Sequence, residues 1–160
     1  MVNFFPQRLT VWRILRNYRK VLDLVDRLAR KTDCPPRLSF RNQVAWLCDG
    51  DRIGHRTAGR LRKLATLVRK AAVGESLAPE SLEQLLGSAR RLRRKLENVD
   101  RNTRQAITID SLAATLGLPG EWITKHWLQR SVDPMPTVGR GRFVLVDELD
   151  AWVRRRAAAL

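Results

Sequence analysis

Two apolar stripes at helical spacing constrain this chain more than anything else in it. Val11, Ile14, Tyr18, Val21, Val25 and Leu28 recur in alternating steps of three and four, and Leu15, Leu22 and Ala29 widen the band. Leu82, Leu85, Leu86, Ala89, Leu92, Leu96 and Val99 repeat the pattern further on. Side chains spaced this way share one face of an α-helix, so residues 7–31 and 79–100 are predicted to be long amphipathic helices. A band wider than a strict coiled-coil seam suits a helical bundle.

Two shorter helices are expected between them. Asp33-Cys34-Pro35-Pro36 ends the first helix, because neither proline fits a helix interior. Residues 40–48 carry Val44, Ala45 and Leu47; residues 55–73 carry Ala58, Leu61, Leu64, Ala65 and Val68 at helical spacing. Asp49-Gly50-Asp51 between them reads as a solvated turn, since the later ligand positions of a calcium loop are absent. Residues 74–79 form a connection, and Pro79 suits the first turn of the last long helix. The polar run after Val99 places a domain boundary near Asn102, giving a basic all-helical domain over 1–101 and a second domain over 102–160.

The second domain has a different grammar. Thr108 can cap a short helix whose stripe is Leu112, Ala113 and Leu116, and Gly117 ends it in a left-handed conformation. A second helix is expected over residues 119–130, with Trp122, Ile123, His126 and Trp127 on one side and Glu121, Thr124, Lys125 and Gln129 on the other. Two helices joined by a short glycine-containing turn make a helix-turn-helix, whose second helix enters the DNA major groove. Residues 137–146 then read as two short β segments around a Gly139-Arg140-Gly141 tip. Asp147 is expected to cap a last helix with Leu149, Trp152 and Val153 inward. Helix, turn, helix, hairpin, helix is the order of a winged helix-turn-helix, so the fold class is mostly α: a bundle of about four helices, then a small winged module.

Those residues resemble a known family. Residues 108–153 look like the excisionase and AlpA-like branch of the MerR-type winged-helix proteins, DNA binders of phages and mobile elements. The resemblance is carried by the capped 108–116 helix, Gly117, the apolar pair Ile123 and Trp127, and Pro134 or Pro136 entering the wing. The Gly-Arg-Gly-Arg of residues 139–142 and the closing Val146-Asp147-Glu148-Leu149-Asp150-Ala151-Trp152-Val153 add to it. The small terminase subunit of lambda-like phages carries a similar module. His126 departs from the family, which usually has an aromatic or aliphatic residue there. The resemblance implies site-specific DNA binding and does not extend to the first hundred residues.

Charge points the same way but sits elsewhere. The chain has a formal net charge of +15. Residues 1–105 hold 24 Lys and Arg against 10 Asp and Glu, while residues 106–160 hold 7 against 6. Phosphate contacts supply affinity and register, whereas contacts to base edges supply sequence choice. Arg56, Arg60 and Lys63 on the third helix, with Arg90, Arg91, Arg94 and Lys95 on the fourth, are therefore expected to hold a phosphate backbone. In the winged module Gln129 can pair with adenine and Lys125 with guanine, Thr124 can meet a base or a phosphate, and Arg130 closes the same helix. Arg140 at the tip, with Arg142 beside it, is placed to reach a minor groove or a flanking phosphate.

The expected partner is double-stranded DNA, bound by a homo-oligomer or by one subunit of a nucleoprotein assembly. The length of the two long stripes favours self-association. No apolar run approaches the ~20 residues of a membrane span, and the N-terminus lacks the pattern of a secretion signal, so a cytoplasmic place is expected. Cys34 and Cys48 make no disulfide framework, and with His55 they fit no standard zinc spacing, so free thiols are expected. No nucleophile–base pair, phosphate-cradling glycine loop or metal-binding carboxylate cluster is evident; no catalytic, metal or cofactor residue is assigned, and no enzyme is expected. The competing expectation is an architectural subunit of a packaging or RNA-guided complex that follows a backbone regardless of sequence.

Overall fold

The computed structural model describes residues 4–75 and 77–159, with side chains from residue 7 onward. Residues 1–3 and Ser76, which belong to the N-terminal stretch and the 74–79 connection, lie outside the described residues, as does Leu160. The chain is mostly helical with one small antiparallel sheet. No described helix is long and apolar enough to cross a membrane.

Helices α1 (Phe4–Lys31), α2 (Phe40–Asp49), α3 (His55–Ala72) and α4 (Pro79–Asn102) form the N-terminal bundle. The two long stripes bury each other: Ile14, Val21, Val25 and Leu28 of α1 share a core with Leu85, Ala89, Leu92 and Leu96 of α4. Their length therefore no longer requires a second chain. Leu15, expected to widen the α1 stripe, is 39% exposed and lies off the buried arc.

The two long helices run parallel. Near their starts the Thr10 hydroxyl donates to the Glu83 carboxylate, and near their ends Asp100 faces Arg27 at 3.3 Å and Lys31 at 2.9 Å. Asp100 is buried, so its charge needs these partners: an isolated buried carboxylate is costly. Helices α2 and α3 cross back between them. The break after α1 is local, with the Thr32 hydroxyl bonding the Leu28 and Ala29 carbonyls and Asp33 left-handed at φ 56°. Ser39 then caps α2 by accepting the Asn42 N–H.

After α4 the structure departs from expectation. A strand that the sequence does not announce, β1 (Ala106–Thr108), pairs antiparallel with β2 (Phe143–Leu145). The expected 137–146 hairpin is thereby reduced to one bridge, Val138 to Phe143, closing a tight turn in which Gly139, Arg140 and Gly141 all have positive φ. Pairing with β1 wins because it seats Phe143 and Leu145 beside buried Ala106 and under Trp46 of α2.

Helix α5 (Ile109–Leu116) is capped by Thr108, which accepts the Ser111 N–H. It ends at Gly117, φ 66°, with Leu118 N–H bonded to the Ala113 carbonyl. The second helix is shorter and wider than the expected 119–130 span. Helix α6 (Gly120–Ile123) passes into a π-helical turn (Thr124–Leu128), closed by Gln129 N–H on the Thr124 carbonyl at 2.9 Å. Thr124 donates its hydroxyl to the Gly120 carbonyl, the type of back-bonding that bends helices.

Helix α7 (Val146–Ala158) starts directly from β2, so Leu145 takes the cap position expected of Asp147. Asp147 lies inside the first turn and accepts Glu148 N–H and the Arg104 guanidinium. Trp152 is buried and donates to the Asp133 carbonyl, whereas Val153, expected inward, is 47% exposed. Leu112, Ala113, Ile123, Met135, Val144 and Trp152 make the small core of this C-terminal part.

Candidate nucleic-acid interface

The C-terminal core holds α6 and its π-helical extension by one face. Ile123 is fully buried and the Trp127 ring packs against Trp152, tilted by 55° at 5.4 Å between centres. Lys125 and Gln129 consequently point to solvent, and Thr124 and Arg130 are half-buried. Trp122 and His126, expected on the inner side, are exposed and lie against each other at 4.6 Å.

Lys125, Gln129 and Thr124 share a shallow recess with Ile109, Gly120 and two carboxylates, Asp110 and Glu121. The Thr124 hydroxyl proton is committed to Gly120, so toward a ligand this oxygen can only accept. The recess can donate through Lys125, donate and accept through Gln129, and repel phosphate through its acids.

The turn after Val138 does not project freely. The Phe143 ring sits under Trp46 of α2, edge to face at 5.7 Å, and Gly50 and Gly139 approach it so closely that a Cβ would meet it at 3.1 and 2.7 Å. The Arg142 guanidinium lies 5.8 Å from the centre of the Trp46 ring. Asp33, at the end of α1, accepts both the N–H and the hydroxyl of Thr108 at 3.1 Å. Arg140 stands at the tip, exposed and left-handed at φ 58°. Arg104 completes the junction by pairing with Asp147 and with Glu148 at 3.0 Å; the guanidinium hydrogen bond holds the Asp147 carboxyl below its usual range.

On the bundle, Arg56, Arg60 and Lys63 of α3 and Arg90, Arg91, Arg94 and Lys95 of α4 are all exposed. The compact run on α4 divides, however, between two surfaces. Arg91 and Lys95 join Arg60 and Lys63 around a groove of about 640 Å³ floored by Leu64, Leu67, Leu85 and Leu92. Arg90 faces the other side of α4, toward Arg13, Arg16 and Lys20 of α1. Sequence reasoning assigns those α1 residues, and Trp12 among them, to no site. The available signal is an indole four residues before Arg16 and off the apolar stripe.

The ion pairs sort the cations. Carboxylates engage Arg27, Arg30, Lys31, Lys70, Arg93, Arg104, Arg154 and Arg155. Among the described residues, none of the basic side chains expected to bind nucleic acid is in such a pair. No described cluster of three or more His, Cys, Asp or Glu has the arrangement to hold a metal. Cys48 lies 3.2 Å from His55, and burial, followed by Asp26 and Asp33, pushes the Cys34 thiol up. No family model, curated protein or solved structure matches this chain.

Proposed function

We propose that the chain is a sequence-specific binder of double-stranded DNA, of the kind phages and mobile elements use in regulation or recombination, acting by binding without chemistry of its own. The carrying observation is the sorting of charge: the protein's carboxylates neutralise other cations and leave the α3 and α4 set for phosphates. The winged-helix resemblance of residues 108–153 supports assigning site choice to Lys125 and Gln129, and on this reading the helices before Asn102 grip the backbone while the residues after it read the site. Paired half-sites are expected if two copies bind together.

Selection of bound oligonucleotides from a random duplex pool tests this reading, followed by Lys125→Ala with Gln129→Ala. Removing each bidentate pairing with a base should cost about 1–3 kcal/mol on the selected site and little on scrambled duplex. Equal losses on both, or no consensus, would refute base reading.

A second reading has its own support. Asp110 and Glu121 flank Lys125 and would repel a backbone drawn close to the second helix. In this reading the protein is an architectural subunit whose basic grooves follow a backbone without sequence choice.

A further inference from the structure

The side of α4 that carries Arg90 forms a second groove with α1, and its chemistry differs from the first. Leu9, Trp12, Arg13, Arg16, Lys20 and Arg90 line it together with the more buried Asn17 and Arg93, and none of these residues is acidic. Arg93 is already held by Asn17 at 2.9 Å and Glu97 at 3.3 Å. Arg13, Lys20 and Arg90 have no carboxylate partner among the described residues.

Trp12 is the unusual member. It is 55% exposed, more than Trp122 at 40%, while Trp46, Trp127 and Trp152 are packed into the fold. The Arg16 guanidinium stands 5.4 Å from its ring centre, so an indole and a cation already lie together at the surface. A flat aromatic among unpaired cations is the combination that binds single-stranded nucleic acid: the cations follow phosphates and the ring takes the face of a base. In a duplex those faces are covered by neighbouring bases, so the indole has nothing to stack on.

Length fits as well. Leu9 and Lys20 stand eleven residue steps apart, about 16 Å at ~1.5 Å per step. A stacked strand rises about 3.4 Å per nucleotide along its axis, so the groove spans roughly five nucleotides of a stacked strand. A second copy of the same groove would bring like charges together. A membrane surface would need a broader apolar face than Leu9 and Trp12 provide.

We propose that the groove between α1 and α4 binds single-stranded nucleic acid, with Trp12 stacking on an unpaired base and Arg13, Arg16, Lys20 and Arg90 holding its phosphates. The site stands apart from the reading helix and does not depend on base reading by Lys125 and Gln129.

Fluorescence anisotropy on the full chain tests it with four probes. These are a labelled oligothymidylate of about 12 nucleotides, within the usual site sizes, a strand of equal length without bases, a duplex, and vesicles of mixed phosphatidylserine and phosphatidylcholine. Trp12→Ala should weaken oligothymidylate binding about 5- to 150-fold, the loss expected for one stacked base. It should leave the abasic strand and the duplex unchanged, and Trp12→Phe should restore most of the affinity. Lys125→Ala with Gln129→Ala should not move the single-strand affinity, which separates this test from that of duplex reading. Unchanged oligothymidylate binding by Trp12→Ala, an equal loss on the abasic strand, or Trp12-dependent binding to vesicles alone would overturn the proposal.

Discussion

Phe143 joins the two parts of the chain, and its removal should show how much that junction contributes. The ring is 1% exposed, lies edge-on to Trp46 at 5.7 Å and 84°, and fills the space between Gly50 and Gly139. Truncating a buried phenylalanine to alanine typically costs about 3–5 kcal/mol, combining lost transfer energy with an unfilled cavity. Of that, an edge-to-face aromatic pair accounts for about 0.5–1.5 kcal/mol beyond burial. Phe143→Ala, Trp46→Ala and the double variant should therefore show a coupling of that size in urea unfolding followed by far-UV circular dichroism. The Trp46 indole N–H also donates to the Thr32 carbonyl at 3.3 Å, a loss common to both Trp46 variants that cancels in the cycle. A loss for Phe143→Ala below about 0.5 kcal/mol, the range of a surface change, would refute the account of Phe143 as the residue that joins α2 to the C-terminal part.

Two further predictions concern charge. Replacing Arg60, Lys63, Arg91 and Lys95 with serine should flatten the slope of log affinity for duplex against log salt by roughly 0.9 for each phosphate no longer neutralised; an unchanged slope would exclude that groove from the backbone grip. Arg104→Ala should raise the titration midpoint of the Asp147 carboxyl toward its ordinary value, read by carbon NMR, because the Arg104 hydrogen bond is the largest cause of its depression. The sign follows from that direction: the Asp147–Arg104 contribution is complete above the ordinary carboxylate value and fades as pH falls through the depressed one. A midpoint that does not move would refute the assignment.

What is legible in the sequence follows from how far apart the determining residues stand. The stripes of α1 and α4, the Thr108 cap and the Gly117 stop depend on spacings of a few residues, and the structure contains each of them. The parallel course of α1 and α4 depends on pairs such as Thr10 with Glu83 and Arg27 with Asp100, more than seventy residues apart, and no local pattern encodes a direction. Strand β1 is hidden for the same reason. Ala106–Thr108 is too short to show alternation, and it becomes a strand because Phe143–Leu145 pairs with it. The π turn is local, yet it depends on whether the Thr124 hydroxyl takes the Gly120 carbonyl, a choice that residue type alone does not make.

The basic run on α4 carries the functional consequence. Successive residues on a helix stand about 100° apart, so Arg90, Arg91, Arg93, Arg94 and Lys95 cannot share one face. Adjacency in the chain makes them a single patch; rotation about the helix axis sends Arg91 and Lys95 toward α3 and Arg90 toward α1, as the two grooves show. One helix thus supplies cations to two surfaces of different character, one floored with leucines and one bearing an exposed indole. On the proposed reading, one groove takes a paired strand and the other an unpaired one. The proposed roles of the two grooves predict that oligothymidylate and duplex bind without competing, since Arg90 and Arg91 line different grooves although they are neighbours in the chain.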